Sequence, residues 1–270
     1  MDPQFSEFSY GFALTYEIVT RWQGSGVTVA PSFPSLYQEG QVGGGYDVRW
    51  DLPGIPLILQ FKISQRMVRR SAGEWDRFGQ PYYRFWMHGR RHSDQHDLLV
   101  ALDDGSAEVY YAAPIIHDVG DLNRAFFLGQ VQQSSIFFRP ADIAVFGDEE
   151  AHCMAFLPGQ TYGWRFSEPR RIEVSGEGLP FAEILRGRLR NRATIDPNAY
   201  FAKVADLLQS KTALRADVKE DEAVGRRREW PMAVRAGYLA RTVLGAELVW
   251  IVDEERLSAH ERDTLYNQSR

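Results

Sequence analysis

The sequence predicts an α/β fold in which a mixed central sheet is flanked by helices. Residues 5–22 carry apolar side chains at broadly helical spacing, and Leu57–Ile63 is a strongly apolar run. A second helical pattern follows at residues 93–105, directly before the apolar run Glu108–Ile116. Helical and extended patterns that alternate in this way are typical of a sheet covered by helices.

The first 116 residues contain most of the clear patterns. Gly24 and Gly26 end the first helix, as glycine does at a helix C-terminus. Ser93 is expected to cap the second helix, with Leu98, Leu99 and Leu102 on its apolar side. The predicted strands and turns of this half are Val27–Ala30, a loop at 31–45, Tyr46–Trp50, a turn at Pro53–Gly54, Leu57–Ile63, Tyr82–Met87 and Glu108–Ile116.

The remaining residues predict a mostly helical C-terminal extension. We therefore expect a core at residues 1–116 and an extension at 117–270 that packs on the core and regulates it or binds substrate or a partner. The predicted elements are helices at Val119–Leu128, 198–209 and 231–243, extended pieces at Ser135–Phe138 and Cys153–Phe156, a loop containing "FSEPRRIE", linkers at Gly176–Pro180 and Asn191–Pro197, and a strand or helix end at Glu247–Val252.

Composition excludes several classes of protein. A net charge of −5 and an isoelectric point near 5.7 exclude a general basic field that would attract nucleic acid, so any such binding requires a local patch. The single cysteine, Cys153, excludes an internal disulfide framework, and its apolar surroundings predict a buried, inert thiol. Without a basic, apolar leader or a long apolar run, we expect a cytoplasmic protein without a membrane span.

Three polar side chains are expected to converge at one end of the sheet. Residues two apart on a strand face the same side, so Gln60 and Lys62 project together and Phe61 points away. If the strand that carries Asp47 pairs with this strand through the Pro53–Gly54 turn, all three side chains meet. Asp47, Gln60 and the backbone carbonyl of Phe61 then offer oxygen ligands to Mg²⁺ or Mn²⁺. A neighbouring lysine is suited to orienting or deprotonating a water molecule for phosphodiester hydrolysis.

These residues resemble a known family. The segments "GYD" and "LQFK", preceded by a helix with a glutamate and followed by a helix and a strand, are similar to the PD-(D/E)XK phosphodiesterases, and in particular to the Mrr-like branch with its QxK motif. The resemblance covers residues 5–116 and implies a restriction-endonuclease-like core. It also implies that Asp47 and Gln60 bind the metal and that Lys62 assists the attacking water.

The resemblance adds a helix glutamate to the predicted catalytic set. Glu17 is the candidate, and Glu39, in the loop before Asp47, is the alternative. Each residue also has a plainer interpretation. Asp47 would be a solvated strand end, Lys62 would protect a sheet edge from pairing, and Glu17 would lie on a solvated helix face. Gln60 replaces the carboxylate of the commoner motif, which implies weaker metal binding or a degenerate site.

A basic and aromatic segment follows the motif. Residues 62–91 interleave arginines with aromatic residues, a combination suited to phosphate contacts and base stacking. The alternative is a solvated loop that its aromatic residues anchor to the core. Gln95 is expected to reach the scissile region, whereas His96 is expected to be exposed. The predicted nucleic-acid-binding residues are Arg66, Arg69, Arg70, Tyr82, Arg84 and Gln95.

The sequence thus predicts a Mg²⁺-dependent endonuclease, with DNA favoured over RNA as substrate. By resemblance alone, it is expected to act in bacterial antiphage defence. The alternative is a catalytically inactive nuclease-fold module that binds a partner protein or nucleic acid. An intermediate possibility is a nuclease that a protein partner or ligand activates through the C-terminal half.

Overall fold

The computed structural model describes residues 1–21, 53–174, 180–191, 195–212 and 232–261. They form an α+β fold with two sheets. The helices are α1 (Glu7–Arg21), α2 (Trp75–Phe78), α3 (Gln95–Leu102), α4 (Val119–Leu128), α5 (Pro140–Ile143), α6 (Phe181–Asn191), α7 (Pro197–Thr212) and α8 (Met232–Leu239, continued by a π-helical turn at Ala240–Leu244). The strands are β1 (Gly54–Phe61), β2 (Gln65–Met67), β3 (Tyr82–Met87), β4 (Glu108–Pro114), β5 (Ser135–Phe138), β6 (His152–Phe156), β7 (Tyr162–Phe166), β8 (Arg170–Glu173) and β9 (Ala246–Val252).

The first sheet is mixed, as the sequence predicted. Its strand order is β5-β4-β1-β9, in which β1 and β4 are parallel and the two outer strands run antiparallel to their neighbours. Every residue of β1 is buried, because the strand has a neighbour on each edge and apolar layers on both faces. The apolar run predicted to be a central strand is therefore central.

The two faces of the first sheet support different apolar clusters. Leu57, Leu59 and Phe61 pack with residues of α1, α4 and α6 on what we call the α1 face. Ile58 points to the opposite side, the α3 face, where it packs with residues of α3, α7, α8 and the second sheet. Because side chains alternate along a strand, Gln60 and Lys62 follow Ile58 to the α3 face.

The second sheet is antiparallel, with the strand order β2-β3-β6-β7-β8. Its inner face buries Tyr83, Phe85, Met154, Phe156 and Ile172 in the same cluster as Ile58. Gly163 also faces inward, and a Cβ atom there would lie 2.7 Å from Cζ of Phe138 on the first sheet. The two sheets thus share one core, and glycine permits their close approach.

The predicted helical extension was wrong in one respect. Beyond residue 116 the described chain has five strands besides its helices, and β5 and β9 pair directly with β4 and β1. The segment "FSEPRRIE" is not a loop, because it contains the end of β7, a turn and β8. Only Ile172 is buried in β8, so the strand lacks an apolar alternation and depends on its ladder with β7.

Ala144 holds an unusual backbone conformation, and a substitution can test whether that conformation is strained. Its φ of 64° and ψ of 165° fall in a region that only glycine adopts without strain. We expect Ala144→Gly to raise the free energy of unfolding by about 1 kcal/mol, measured by urea denaturation. The matched control is Ala101→Gly on the exposed side of α3, which should lower it by about 1 kcal/mol. A loss of stability in both variants would contradict the strain at Ala144.

Candidate functional site

Gln60 and Lys62 lie at the C-terminal end of β1, beside the parallel strand β4. Gln60 is opposite Tyr111 in the β1–β4 ladder, and the backbone N–H of Lys62 donates to the carbonyl of Ala112 at 2.9 Å. Lys62 Nζ lies 5.8 Å from the ring centroid of Tyr111, a residue of the α3-face cluster. The structure therefore brings Gln60 and Lys62 together on one face, as the sequence predicted.

Lys62 is buried, with only 5% of its surface exposed. Its ammonium donates to Oε1 of Gln95 at 2.9 Å, and Nε2 of Gln95 in turn donates to the carbonyl of Leu244 at 2.5 Å. Burial lowers the pKa of Lys62 below the usual lysine value, and the negative charge of Glu7 opposes that shift. Since β1 is not an edge strand, Lys62 does not protect a sheet edge from pairing.

Gln60 carries an unsatisfied polar atom. Its side chain is 2% exposed, and its Nε2 donates to the carbonyl of Phe61 at 3.0 Å. Its Oε1 is buried and has no hydrogen-bond partner. A buried acceptor without a partner is costly, so a site of this kind is suited to a cation or an ordered donor.

The oxygen atoms at this position fit a divalent cation only in part. Gln60 Oε1 and the carbonyl of Phe61 are the hard ligands that Mg²⁺ prefers. The described residues contain no group of three or more histidine, cysteine, aspartate or glutamate side chains that would hold a metal ion. The two oxygen atoms described here are therefore not by themselves a complete metal site.

Asp47 lies outside the described residues, as does Glu39. The predicted approach of Asp47 to Gln60 depended on a hairpin through Pro53–Gly54. Gly54 is instead the first residue of β1 and pairs with Val252. Both edges of β1 are occupied, by β9 from Gly54 to Gln60 and by β4 from Leu57 to Phe61. The edges of β1 beside Gln60 are therefore not open to a further strand, and the approach of Asp47 to Gln60 and Lys62 stays a prediction.

Glu17 is not brought to Gln60 and Lys62. It is 4% exposed on the α1 face, and its Oε2 accepts a hydrogen bond from the backbone N–H of Val131 at 2.5 Å. It is thus not a solvated helix residue either. Glu7, in the exposed first turn of α1, is the carboxylate whose charge acts on Lys62. A glutamate in a first helical turn normally complements the helix dipole, so the sequence offered no signal for this relation.

Two of the predicted nucleic-acid contacts have structural roles. Tyr82 is fully buried and donates to Oε2 of Glu74 at 2.5 Å, so its ring is not available to stack on a base. Arg84 forms an ion pair with Glu74 at 3.0 Å. The thiol of Cys153 contacts the same carboxylate at 3.4 Å and is buried, as predicted. Burial raises the pKa of this thiol, which makes it a poor nucleophile.

The other predicted contacts differ in accessibility. Arg69 and Arg70 are exposed between β2 and α2, and Arg66 is partly exposed on β2 opposite Tyr83. Gln95 is held by Lys62 and Leu244 and orients the lysine. It does not project from α3 toward solvent.

His96 is buried, although the sequence predicted exposure. Its ring lies 2.9 Å from the Tyr111 hydroxyl and 2.8 Å from the carbonyl of Ala144, and it stacks on Phe146. Burial lowers the pKa of His96. The histidine therefore fastens α3 to the segment after α5 and does not reach the surface.

Searches against protein-family models, curated proteins and solved structures give no match to this chain. Among the residues that the structure describes, no helix has the length and apolar character that a membrane span requires.

Proposed function

We propose that this protein is a metal-dependent nuclease with a restriction-endonuclease-like core, which hydrolyses phosphodiester bonds of DNA, or of RNA as the alternative. The observation that carries the proposal is the pair formed by the buried amine of Lys62 and the unpartnered amide oxygen of Gln60. The pair ends a central strand, and α3 and the parallel strand β4 follow it, which is the order that the resemblance implies. A role in defence against foreign nucleic acid rests on the resemblance alone.

Lys62 supplies the chemistry in this proposal. Because burial lowers its pKa, a larger fraction of its amine is unprotonated at a given pH than in an exposed lysine, and only the unprotonated amine can take a proton from water. Gln95 keeps Nζ at a defined position through its own hydrogen bond to Leu244. Gln60 Oε1 and the Phe61 carbonyl, which in this structure accepts from Gln60 Nε2, would hold Mg²⁺ or Mn²⁺, with Asp47 expected as the carboxylate ligand from outside the described residues. When bound, the ion would polarise the scissile phosphate and acidify a water molecule.

A second candidate is an inactive module of the same fold that binds nucleic acid or a partner protein. Two observations favour it. Glu17 accepts a hydrogen bond from Val131 on the other face of the sheet, and the oxygen ligands described at Gln60 and Phe61 carry no charge. In that case Lys62 and Gln95 would serve only to fasten α3 to β1.

A cleavage assay separates these candidates. We expect the wild-type chain to cut plasmid DNA or single-stranded RNA with Mg²⁺ or Mn²⁺, and EDTA to stop the reaction. Asp47→Asn should lower the rate by at least about 100-fold, because a neutral amide binds a hard cation more weakly than a carboxylate does. Asp206→Asn, on an exposed position of α7, is the matched control and should cut like wild type. Full activity of Asp47→Asn would exclude the proposed metal site, and no cleavage by wild type would favour the inactive module.

A further inference from the structure

The outer face of the second sheet carries a row of aromatic and arginine side chains. On β7, Tyr162, Trp164 and Phe166 alternate with the inward-facing Gly163, so they share the outer face. On β3, Arg84 and Trp86 alternate with the buried Phe85 and also face outward. Trp86 is 42% exposed, and the three β7 rings are partly exposed.

Three arginines lie over three of these rings. The guanidinium of Arg77 is 4.1 Å from the ring centroid of Trp164, and that of Arg171 is 4.0 Å from Tyr162. Arg84 lies 5.0 Å from the ring of Trp86. Stacking places the guanidinium groups of Arg77 and Arg171 at the surface of the sheet, where their N–H groups suit phosphate oxygens, whereas that of Arg84 is held by Glu74.

The charge of this face differs from that of the whole chain. The chain is acidic, with a net charge of −5. On the outer face and on the 68–79 segment that joins β2 to β3, arginines outnumber carboxylates. The arginines are Arg69, Arg70, Arg77, Arg84 and Arg171, and the carboxylates are Glu74, Asp76 and Glu173. The local charge is therefore complementary to a polyanion.

The outer face begins close to the proposed catalytic lysine. Gln65 on β2 is opposite Arg84 on β3. The same row of cross-strand partners continues through Ala155 on β6 and Trp164 on β7 to Arg171 on β8. Gln65 is three residues beyond Lys62, which limits the distance between their Cα atoms to roughly 11 Å. A nucleic acid strand bound across this row would thus end near the segment that carries Lys62, whose own side chain is buried.

From these observations we infer that the outer face of the second sheet binds single-stranded nucleic acid. Exposed rings on an antiparallel sheet stack on unpaired bases, which a duplex does not offer, and the arginines meet the backbone phosphates. The inference rests on the proposed function for the class of substrate and specifies its single-stranded form. The surface itself is independent of the metal.

Binding in EDTA tests this surface without cleavage. The probes are labelled 20-nucleotide dT and U oligomers and a duplex of the same length, and fluorescence anisotropy gives each Kd. We expect both single strands to bind more tightly than the duplex, and a difference between dT and U identifies the preferred sugar. Trp86→Leu should weaken single-strand binding about tenfold. Arg77→Gln should lower the slope of log Kd against log salt concentration by about 0.7.

Two control variants make the outcomes distinct. Phe127→Leu removes an 87% exposed ring from α4, which packs on the α1 face of the first sheet, and should bind like wild type. Lys203→Met, which breaks a surface ion pair with Asp104, should also retain binding. Single-strand binding by the wild-type chain, without any cleavage when Mg²⁺ or Mn²⁺ is added, would support the surface and contradict the nuclease proposal. Wild-type affinity in both Trp86→Leu and Arg77→Gln, or tighter binding of the duplex, would overturn the surface whatever the cleavage assay shows.

Discussion

Replacement of Lys62 by methionine is expected to slow metal-dependent cleavage by about 100-fold or more, without loss of the fold. Methionine fills a similar volume but cannot exchange a proton, and general acid–base groups typically contribute factors of this size. Cleavage of plasmid DNA and of a labelled single-stranded oligomer under single-turnover conditions gives the rate, and circular dichroism checks the fold. Lys203→Met is the matched control, because Lys203 forms a surface ion pair with Asp104 and should cut like wild type. Equal rates for both variants would remove Lys62 from the mechanism.

Lys62→Met is also expected to change how the free energy of unfolding depends on pH. Burial lowers the pKa of Lys62 from its ordinary value of 10.5, so between the two values the folded chain binds fewer protons there than the unfolded chain does. In that interval the unfolding free energy of wild type rises with pH relative to Lys62→Met, by up to about 1.4 kcal/mol per pH unit. Urea denaturation at several pH values from 7 to 10 measures the difference. A difference in unfolding free energy that stays constant to pH 10 would contradict the lowered pKa of Lys62.

The largest expected loss of stability comes from Arg139. The Asp103 side chain is fully buried, and both its oxygens accept from the Arg139 guanidinium, with Nε 3.3 Å from Oδ2. Oδ2 also accepts from the backbone N–H of Ala141 at 3.1 Å. Arg139→Met leaves a buried carboxylate without its cation, and we expect it to lower the free energy of unfolding by about 3–5 kcal/mol. Urea denaturation measures this loss.

A double variant shows whether the unpaired charge causes that loss. Asp103→Leu combined with Arg139→Met removes both charges and should recover most of the stability, because a buried ion pair contributes little over an apolar pair of similar volume. Arg91→Met, at a 65% exposed ion pair with Glu149, should cost less than about 1 kcal/mol. A double variant no more stable than Arg139→Met would point to lost packing instead of an unpaired carboxylate.

Local patterns predicted many of the elements and part of the site. Apolar periodicity placed α1, α3, β3 and α4 close to their observed bounds, although the N-cap residue of α3 is Asp94 and not Ser93. The shared face of Gln60 and Lys62 followed from the twofold period of a strand, which does not depend on its neighbours. The burial of Lys62 also agrees with the apolar run that precedes it. These features arise from residues that are adjacent in the chain.

The partners of those elements could not be predicted in this way. The neighbour of β1 on one edge is β9, about 190 residues later in the chain, and nothing in either segment alone specifies that pairing. Glu17 is directed to Val131 by the rotation of α1 on the sheet. Tyr82 and Trp86 share a face of β3, yet the first is buried and the second is 42% exposed. The difference comes from α2, whose Phe78 stacks on Tyr82.

The sequence by itself determined many of the helical and extended segments, the acidic charge and the QxK pair on one side of a central strand, because periodicity and composition act over a few neighbouring residues. Only the tertiary structure decided which strands flank β1, which glutamate acts on Lys62 and which aromatic rings reach the surface. Those outcomes depend on contacts between distant segments, whose free energy is gained only when both segments are already in place.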